Sequence, residues 1–437
     1  MTLAADVLGD CLEIAAPLES LEVLLIESVG CVLANDVYAP NARPMADTAL
    51  CDGYATSSRA TSKATRVNPL ELRVLADISA DGTYYQPSGG TQKGRLKELG
   101  DGVAPASVDA LTAYRIASGA ALPVGADCVV PLEFSDEGAA LVRIHTPVLA
   151  GDNMLHAGAD VEKNSMIMRR GTRIDARQVA LLAGVGIQRV RVHPRPRVVI
   201  ISVGDELVDN IGQFSPSRVP DAQSRGGHHV FDTNSHALSV ALSELGASVA
   251  RFSSVPDSPH AVQTMIERHI ARADVIIVTG GIGSQRSGAV MRALEEKGTV
   301  DFEDIDMLPV QRIGYGTVDD VPIYCLPGQP SAALIAYEIF VRPALKLMTG
   351  TKKLFRSSVR ARIDRGWLSP LGYRQMVCAV VRRNKNGDYI AEIPVEPEQQ
   401  LLSELASANA LAVVTEDVQS VSAGDILHCM MLDDDAA

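Results

Sequence analysis

The stretch VVIISVGDEL, residues 198–207, combines an apolar, β-branched run with a polar loop that opens at a glycine. Such a run is typical of a strand that is buried on both faces of a parallel sheet. Two later stretches follow the same plan: DVIIVTGGIGS at residues 274–284 and IYCLPGQPSAA at residues 323–333. The sequence therefore predicts three buried strands, each followed by a loop suited to an anionic ligand.

The loops after these strands are expected to meet. Ligands of an open parallel sheet bind at the carboxyl ends of the strands. We therefore expect Glu206, Gly281 and Pro327 to lie at one common edge of the sheet, and we regard this region as the most informative about function.

Composition limits the class of protein. The chain has 437 residues, enough for about three domains at a prior of roughly 150 residues each. The net charge of −13 argues against non-specific nucleic-acid binding, which needs a basic face. No apolar run approaches the ~18 residues of a membrane span, and no secretory signal begins the chain, so we expect a cytoplasmic protein. Seven scattered cysteines without a CxxC pair support neither a disulfide framework nor a zinc site.

Pattern changes along the chain predict its organisation. Residues 2–35 have helical spacing that Pro17 should divide, and residues 36–150 are rich in short Val-containing pieces and turns. From residue 197 strands alternate with helices, which we expect at residues 235–245, 261–271, 290–297 and 331–348. We predict a linking domain with N-terminal helices (1–44 and 146–194), a small β-rich domain (45–145), an α/β domain (195–350) and a C-terminal β domain (354–437).

Several short motifs, in the same order along the chain, resemble those of the molybdopterin molybdenumtransferase family, which includes the E domain of gephyrin. The chain is identified as a divergent member. The motifs are DTALCDGYA (47–55), RIASGAALP (115–123), GADV (158–161), GTRI (171–174), SVGDEL (202–207), FDTN (231–234), DSPHAV (257–262) and LPGQPSAA (326–333).

The resemblance implies a fold and an activity. It implies a multidomain α/β plus β protein, in which a doubly wound parallel-sheet domain binds molybdopterin beside a β-rich insert, a linking α/β domain and a C-terminal β domain. It further implies a homodimer whose cleft is shared between subunits. The expected reaction inserts molybdate into adenylylated molybdopterin and releases AMP, assisted by magnesium or zinc. The molybdopterin adenylyltransferase would be a partner.

Site residues follow from the matched motifs. The resemblance implies catalytic roles for Asp52, Glu206 and Asp257, and metal ligation by Asp160 and Glu206. Binding of the cofactor precursor would use a turn hydroxyl, a glycine-rich turn and a proline-bounded turn, namely Ser118, Gly280, Gly281, Gly283, Pro327, Gly328 and Pro330. Most have a plainer reading: Asp52 and Ser118 as turn residues, Asp257 as a helix cap, Glu206 at a solvated helix N-terminus, and the glycines as a packing turn.

The chain departs from the family pattern where anions should be held. Gly288 stands at the position of a family Asp, and Leu308 and Gln311 stand at the positions of two lysines. Arg312 is a partial replacement for the lost charge. The segment PEQQLLSELASAN, residues 397–409, lacks a Gly-Ser pair. His228 and His229 form an imidazole pair that more often marks an insertion than a metal site.

Three functions are compatible with these departures: a working molybdenumtransferase with a remodelled anion site, a catalytically degenerate paralogue that binds molybdopterin or a partner protein, and an enzyme for another nucleotide-like substrate. We expect ligand binding to survive better than insertion, because the lost groups act on charge that shifts during transfer. Restoring them together, Gly288→Asp with Leu308→Lys and Gln311→Lys, is expected to raise AMP release.

Overall fold

The computed structural model describes residues 2–86, 107–209, 230–283, 288–295, 297, 299–394, 397, 399 and 401–433. No helix in these ranges is both long enough and apolar enough to span a membrane.

A six-stranded sheet forms the centre of the molecule. From one edge to the other its strands are Ser248–Val255, Arg197–Val203, Val275–Thr279, Val321–Leu326, Arg312–Val318 and Thr299–Asp304. The first four are mutually parallel, as the three quoted stretches predict. The last two are joined by antiparallel ladders, so the sheet is not parallel throughout.

The antiparallel edge has a local cause. Asp319 and Asp320 connect two adjacent strands and have φ angles of 47° and 63°. Left-handed conformations at both central residues define a type I′ turn, whose twist matches that of the two strands of a hairpin. Asp adopts this conformation more readily than most residues. The chain therefore turns straight back on itself here, and no helix crosses over.

Helices cover both faces of the central sheet, which confirms the doubly wound class. Val198 and Ile200 point to a core shared with the helices Ala4–Glu13 and Thr233–Leu245. Val199 and Ile201 alternate with them and pack with Pro259–His269 and Ala289–Glu295 on the opposite face. A continuous helical stretch completes the first face as Pro330–Ala336, the π-helical turn Tyr337–Val341 and Arg342–Met348.

The N-terminal stretch is only partly helical, so the prediction of helix over residues 2–35 is wrong beyond Glu13. Leu21–Leu24 is instead a strand paired with Arg189–His193. The helix Ala4–Glu13 packs on the central core, and the hydroxyl of Tyr324 donates to the carbonyl of Cys11 at 2.9 Å. Tertiary packing thus determines where this amphipathic helix lies.

The chain between the N-terminal helix and the first strand of the central sheet folds into two β-rich bodies. The linking region contains the helix Ala176–Gly184 and the strands Leu21–Leu24, Val32–Leu33, Val37–Tyr38, Met166–Met168 and Arg189–His193. The small domain is a mixed sheet of Gly53–Thr56, Leu70–Ile78, Tyr84–Tyr85, Thr112–Ile116, Cys128–Pro131 and Leu141–Ile144, with the short helix Ser58–Thr61. The pair Thr48–Ala49 and Met154–Leu155 joins the two bodies.

The C-terminal part is a closed five-stranded barrel. In order around it the strands are Arg374–Arg383, Tyr389–Glu392, Ser358–Ile363, Ile426–Met431 and Ala410–Val414, which pairs back with the first. The helix Leu402–Ser407 and the strand pair Trp367–Leu368 with Ser420–Val421 flank it. Met307–Leu308, from the central part of the chain, adds to Arg374–Arg383 as a parallel strand, so it ties the barrel to the central sheet.

Candidate functional site

A cavity of about 500 Å³ opens at the carboxyl edge of the parallel strands. Glu206, Gly281 and Pro327 all line it, which confirms their predicted common edge. Eight of the predicted site residues meet there: Glu206, Asp257, Gly280, Gly281, Gly283, Pro327, Gly328 and Pro330. The three predicted strand-loop units therefore build one site.

The glycine-rich turn after Val275–Thr279 requires its glycines. Gly280 and Gly281 have φ angles of 82° and 67°, a left-handed conformation that side chains rarely adopt. A β-carbon on Gly280 would lie 2.4 Å from the carbonyl oxygen of Val203. The turn therefore packs against the neighbouring strand and also keeps its backbone accessible to a ligand.

Two acidic loops lie side by side at the cavity. The carboxylate of Glu206 folds over Gly204, where a β-carbon would be 2.7 Å from its oxygen. The backbone N–H of Asp257 donates to Asp205 at 3.2 Å, which joins the two loops. Glu206 and Asp257 are thereby held on one wall with both carboxylates exposed.

The FDTN motif supplies two residues to which the sequence assigned no role. Asp232 is 3% exposed and accepts hydrogen bonds from Ser202 Oγ at 3.1 Å and from the backbone N–H and Oγ of Ser235 at 3.0 and 2.6 Å. Asn234 donates to the Gly328 carbonyl at 2.8 Å. Its amide oxygen is buried without a partner among the described residues, and Asn234 lines the cavity, so it can accept from a ligand N–H or O–H. The sequence signal that could have found them was the polar run Asp-Thr-Asn just before a predicted helix.

Arg312 is the one cation on the described cavity wall, and its charge is already paired. Its Nε and Nη2 lie 2.7 Å from Asp304 Oδ1, and its Nη1 donates to the Gly283 carbonyl at 2.6 Å. Arg312 thus holds the glycine-rich turn, and it compensates only partly for the missing lysines. The described wall carries the carboxylates of Glu206, Asp232, Asp257 and Asp304 against this single guanidinium.

The remaining predicted site residues lie in other parts of this chain. Asp52 accepts from the backbone N–H of Ser118 at 2.7 Å, and Ser118 Oγ donates to the Leu50 carbonyl at 3.1 Å. Asp160 pairs with Arg43 at 2.9 Å. None of the three lines the cavity of Glu206, so a single subunit does not bring Asp160 and Glu206 together as a metal pair.

The positions that depart from the family pattern differ in their surroundings. Gln311 lines the cavity, whereas Leu308 lies in the strand that joins the barrel. Gly288 precedes the helix Ala289–Glu295, and a β-carbon there would lie 2.2 Å from the Gly281 carbonyl oxygen. His228 and His229 lie outside the described residues.

Matches to known families span almost the whole chain. Residues 4–186 match "MoeA N-terminal region (domain I and II)", residues 199–347 match "Probable molybdopterin binding domain", and residues 360–430 match "MoeA C-terminal region (domain IV)". The central match contains the cavity described above.

Full-length relatives and a solved structure agree with these matches. Molybdopterin molybdenumtransferase 1 of Mycobacterium tuberculosis is 32% identical, covering 94% of each chain, and molybdopterin molybdenumtransferase 2 of that organism is 31% identical, covering 97% of this chain and 96% of the relative. A crystal structure of the molybdopterin biosynthesis moeA protein from Pyrococcus horikoshii has a TM-score of 0.71 and 24% identity, covering 99% of this chain and 100% of that one. The chain belongs to the MoeA family of molybdopterin molybdenumtransferases.

Proposed function

We propose that this protein is an enzyme of molybdenum-cofactor biosynthesis that inserts molybdate into adenylylated molybdopterin and releases AMP. The observation that carries the proposal is the convergence of the glycine-rich turn, the two acidic loops and the proline-bounded turn on one cavity of about 500 Å³. A pocket of that size at the carboxyl edge suits a substrate with a phosphoanhydride at its centre.

The neutral groups of the cavity bind and orient the substrate. The backbone at Gly281 and Gly283, which line the cavity without side chains, offers close approach to phosphate oxygens. The unpartnered amide oxygen of Asn234 accepts a hydrogen bond from a donor on the ligand. Arg312 contributes the positive charge of the wall, weakened by its pairing with Asp304.

The acidic groups support magnesium rather than zinc. The described residues contain no group of three or more His, Cys, Asp or Glu side chains able to hold a metal ion by themselves. Zinc sites need three or four such ligands, whereas Mg²⁺ is often bound by one or two carboxylates together with substrate phosphates. Glu206 and Asp257 fit the second arrangement, and bound magnesium would offset the negative wall that otherwise repels the substrate.

A homodimer would complete the site. Asp52, Ser118 and Asp160 match family motifs but lie away from the cavity of their own subunit, and a cleft shared between two subunits would bring them to it. Asp52 and Ser118 are already joined by a hydrogen bond of 2.7 Å, so they would act as one unit. We place the enzyme in the cytoplasm, with the molybdopterin adenylyltransferase as the source of its substrate.

The alternative of a binding paralogue without insertion activity is less well supported. Two relatives that match over almost their full length are named molybdopterin molybdenumtransferase. AMP release from adenylylated molybdopterin, measured with and without molybdate and magnesium, tests the proposal. Molybdate-dependent AMP release supports the enzyme, whereas ligand binding without AMP release supports the paralogue.

A further inference from the structure

A small cavity of about 130 Å³ lies where the linking region meets the central domain, and it is called the junction cavity below. Gly30, Arg173 and His193 of the linking region line it, together with Gly246 and Lys346 of the central domain. It shares no described lining residue with the cavity at the carboxyl edge of the sheet. Sites for drug-sized organic ligands usually enclose about 300 Å³ or more, so the junction cavity suits a small ion instead.

The described lining of the junction cavity carries positive charge without a carboxylate. Arg173, Arg195 and Lys346 contribute three cations, and His193 adds an imidazole. This excess is local, because the chain as a whole has a net charge of −13. Cations that share one small cavity repel one another, and a bound anion both attracts them and offsets that repulsion. The charge therefore favours an anionic ligand.

Arg195 is held in place before any ligand arrives. It lies between Pro194 and Pro196, which restrict the backbone on both sides. Its Nη2 donates to the carbonyl of Val29, and a β-carbon on Gly30 would lie 3.4 Å from this nitrogen. The bond to Val29 uses one of the five N–H donors of the guanidinium, so others are available to a ligand.

Arg173 belongs to the GTRI motif, residues 171–174, which has no role in the proposed function. Its backbone is fixed by a bridge to Val32. Its exposed side chain makes no hydrogen bond or ion pair with any residue that the structure describes. The planar fork of a guanidinium matches two oxygens of a phosphate-like anion, so Arg173 is a suitable ligand-binding group.

Helix ends account for only part of this positive charge. The helices Thr233–Leu245 and Arg342–Met348 both end at the junction cavity, and Lys346 Nζ donates to the carbonyl of Lys353 at 2.9 Å. Cations are favoured at such ends, since each helix C-terminus is equivalent to roughly half a negative charge. Two ends therefore offset about one of the three cations, and positive charge remains for a ligand.

We propose that the junction cavity binds a small tetrahedral oxyanion, of the class of phosphate, sulfate and molybdate, between Arg173, Arg195 and Lys346. Arg173 comes from the linking region and Lys346 from the central domain, so the bound anion also joins these two parts of the chain. The proposal does not depend on the proposed function, because the site lies apart from Glu206 and the glycine-rich turn.

Calorimetry on the full-length protein, without magnesium, tests the site with phosphate, sulfate and molybdate in turn. At least one anion should give saturable heat, and the tightest of the three identifies the source of the ligand. The same anion should raise the melting temperature progressively with its concentration. Sodium chloride at equal ionic strength is the control. Saturable binding by none of the three, or an equal rise in melting temperature with chloride, overturns the proposal.

Two variants make the site assignment specific. Arg173→Gln should fold, since the side chain is exposed, and it should weaken oxyanion binding by about tenfold or more through the loss of charged hydrogen bonds. Lys346→Gln, from the other side of the cavity, should weaken binding independently. Arg189→Gln is the matched control, because it removes the same charge from an exposed position of the linking region outside the cavity. Equal weakening by Arg173→Gln and Arg189→Gln would show a general charge effect and overturn the site.

A further variant separates the two cavities. Arg312→Gln removes the cation from the wall of the larger cavity and should leave oxyanion binding at the junction cavity in place. Loss of binding in Arg312→Gln, with binding retained in Arg173→Gln, would assign the anion to the larger cavity and overturn the proposal. AMP release by the unaltered protein tests the proposed function separately.

Discussion

Gly288 lies against the carbonyl oxygen of Gly281, and a β-carbon built on it would stand 2.2 Å from that oxygen. The contact joins the start of the helix Ala289–Glu295 to the glycine-rich turn. Position 288 is therefore confined to glycine by its backbone neighbour. The absence of a side chain here is a packing requirement of this chain.

We predict that Gly288→Asp destabilises the protein, which counts against the expectation from sequence that the triple variant Gly288→Asp with Leu308→Lys and Gln311→Lys raises AMP release. The new side chain must displace the turn, and overpacking of this kind costs about 1–3 kcal/mol. Urea unfolding measures the loss. The control is Gly283→Ala, whose β-carbon would meet nothing within 4 Å, and it should leave the free energy of unfolding nearly unchanged. Equal stability of Gly288→Asp and Gly283→Ala would contradict the packing argument.

Glu206→Gln is expected to lower molybdate-dependent AMP release by at least about tenfold, because it removes a carboxylate from the proposed magnesium site. The magnesium concentration needed for half-maximal rate should rise as well. Since Glu206 is exposed, the melting temperature should stay close to that of the unaltered protein. Glu71→Gln, an exposed carboxylate of the small domain, serves as the control. An unchanged magnesium dependence in Glu206→Gln would remove Glu206 from the metal site.

Asp304→Asn should strengthen binding of AMP. The change releases Arg312 from its 2.7 Å ion pair and removes one negative charge from the cavity wall. One unit charge acting near a solvent-exposed ligand is worth about 1 kcal/mol, so we expect roughly fivefold tighter binding at low ionic strength. Calorimetry measures it, and added salt should shrink the gain. Asp301→Asn is the matched control, as it lies on the same strand but outside the cavity. A similar gain in both variants would indicate a general charge effect.

Asp209 gives a pH-dependent contribution to stability. Burial tends to raise the pKa of Asp209, but hydrogen bonds from Arg251 and His236 outweigh it and hold the pKa below the ordinary value of 3.8. A lowered folded-state pKa stabilises the protein above the unfolded-state value, and this stability is lost as pH falls through the folded-state value. Asp209→Asn should therefore be less stable than the unaltered protein at neutral pH. The difference should shrink below pH 3.8. Urea unfolding at neutral pH and below pH 3.8 measures the difference in the free energy of unfolding between the two proteins. A difference that does not depend on pH would show that the carboxylate charge is not responsible.

Much of the central sheet could be predicted because its signals are local. The runs before Gly204 and Gly280 are apolar and β-branched, as strands buried on both faces must be. The helix Pro259–His269 was predicted, but its N-cap is Ser258 and not Asp257, the residue that the sequence suggested as a cap. The hairpin at Asp319 and Asp320 was missed, although two consecutive acidic residues between apolar runs were a usable turn signal.

The details of the site were less predictable because they depend on contacts between distant segments. Nothing near Arg312 in sequence indicates that Asp304 and Gly283 hold its guanidinium. The partnership of Trp367 with Gln375 forms within the C-terminal part, but their position beside Gln311 exists only once the barrel docks on the central sheet. Motif matching named FDTN, but only the folded chain shows why its Asp232 and Asn234 are needed.

The two-residue strand Met307–Leu308 limits how this protein can be recombined with its relatives. Its ladder partner lies in the barrel, whereas Arg312, a few positions later, begins a strand of the central sheet. The barrel is therefore not a freely exchangeable module. A chimera that takes its barrel from a relative must also take a matching segment at residues 307–308, or it loses the register that sets Gln311 and Arg312 on the wall of the cavity. An exchange of the barrel therefore requires a matching exchange at Met307 and Leu308, next to the cavity at the carboxyl edge of the central sheet.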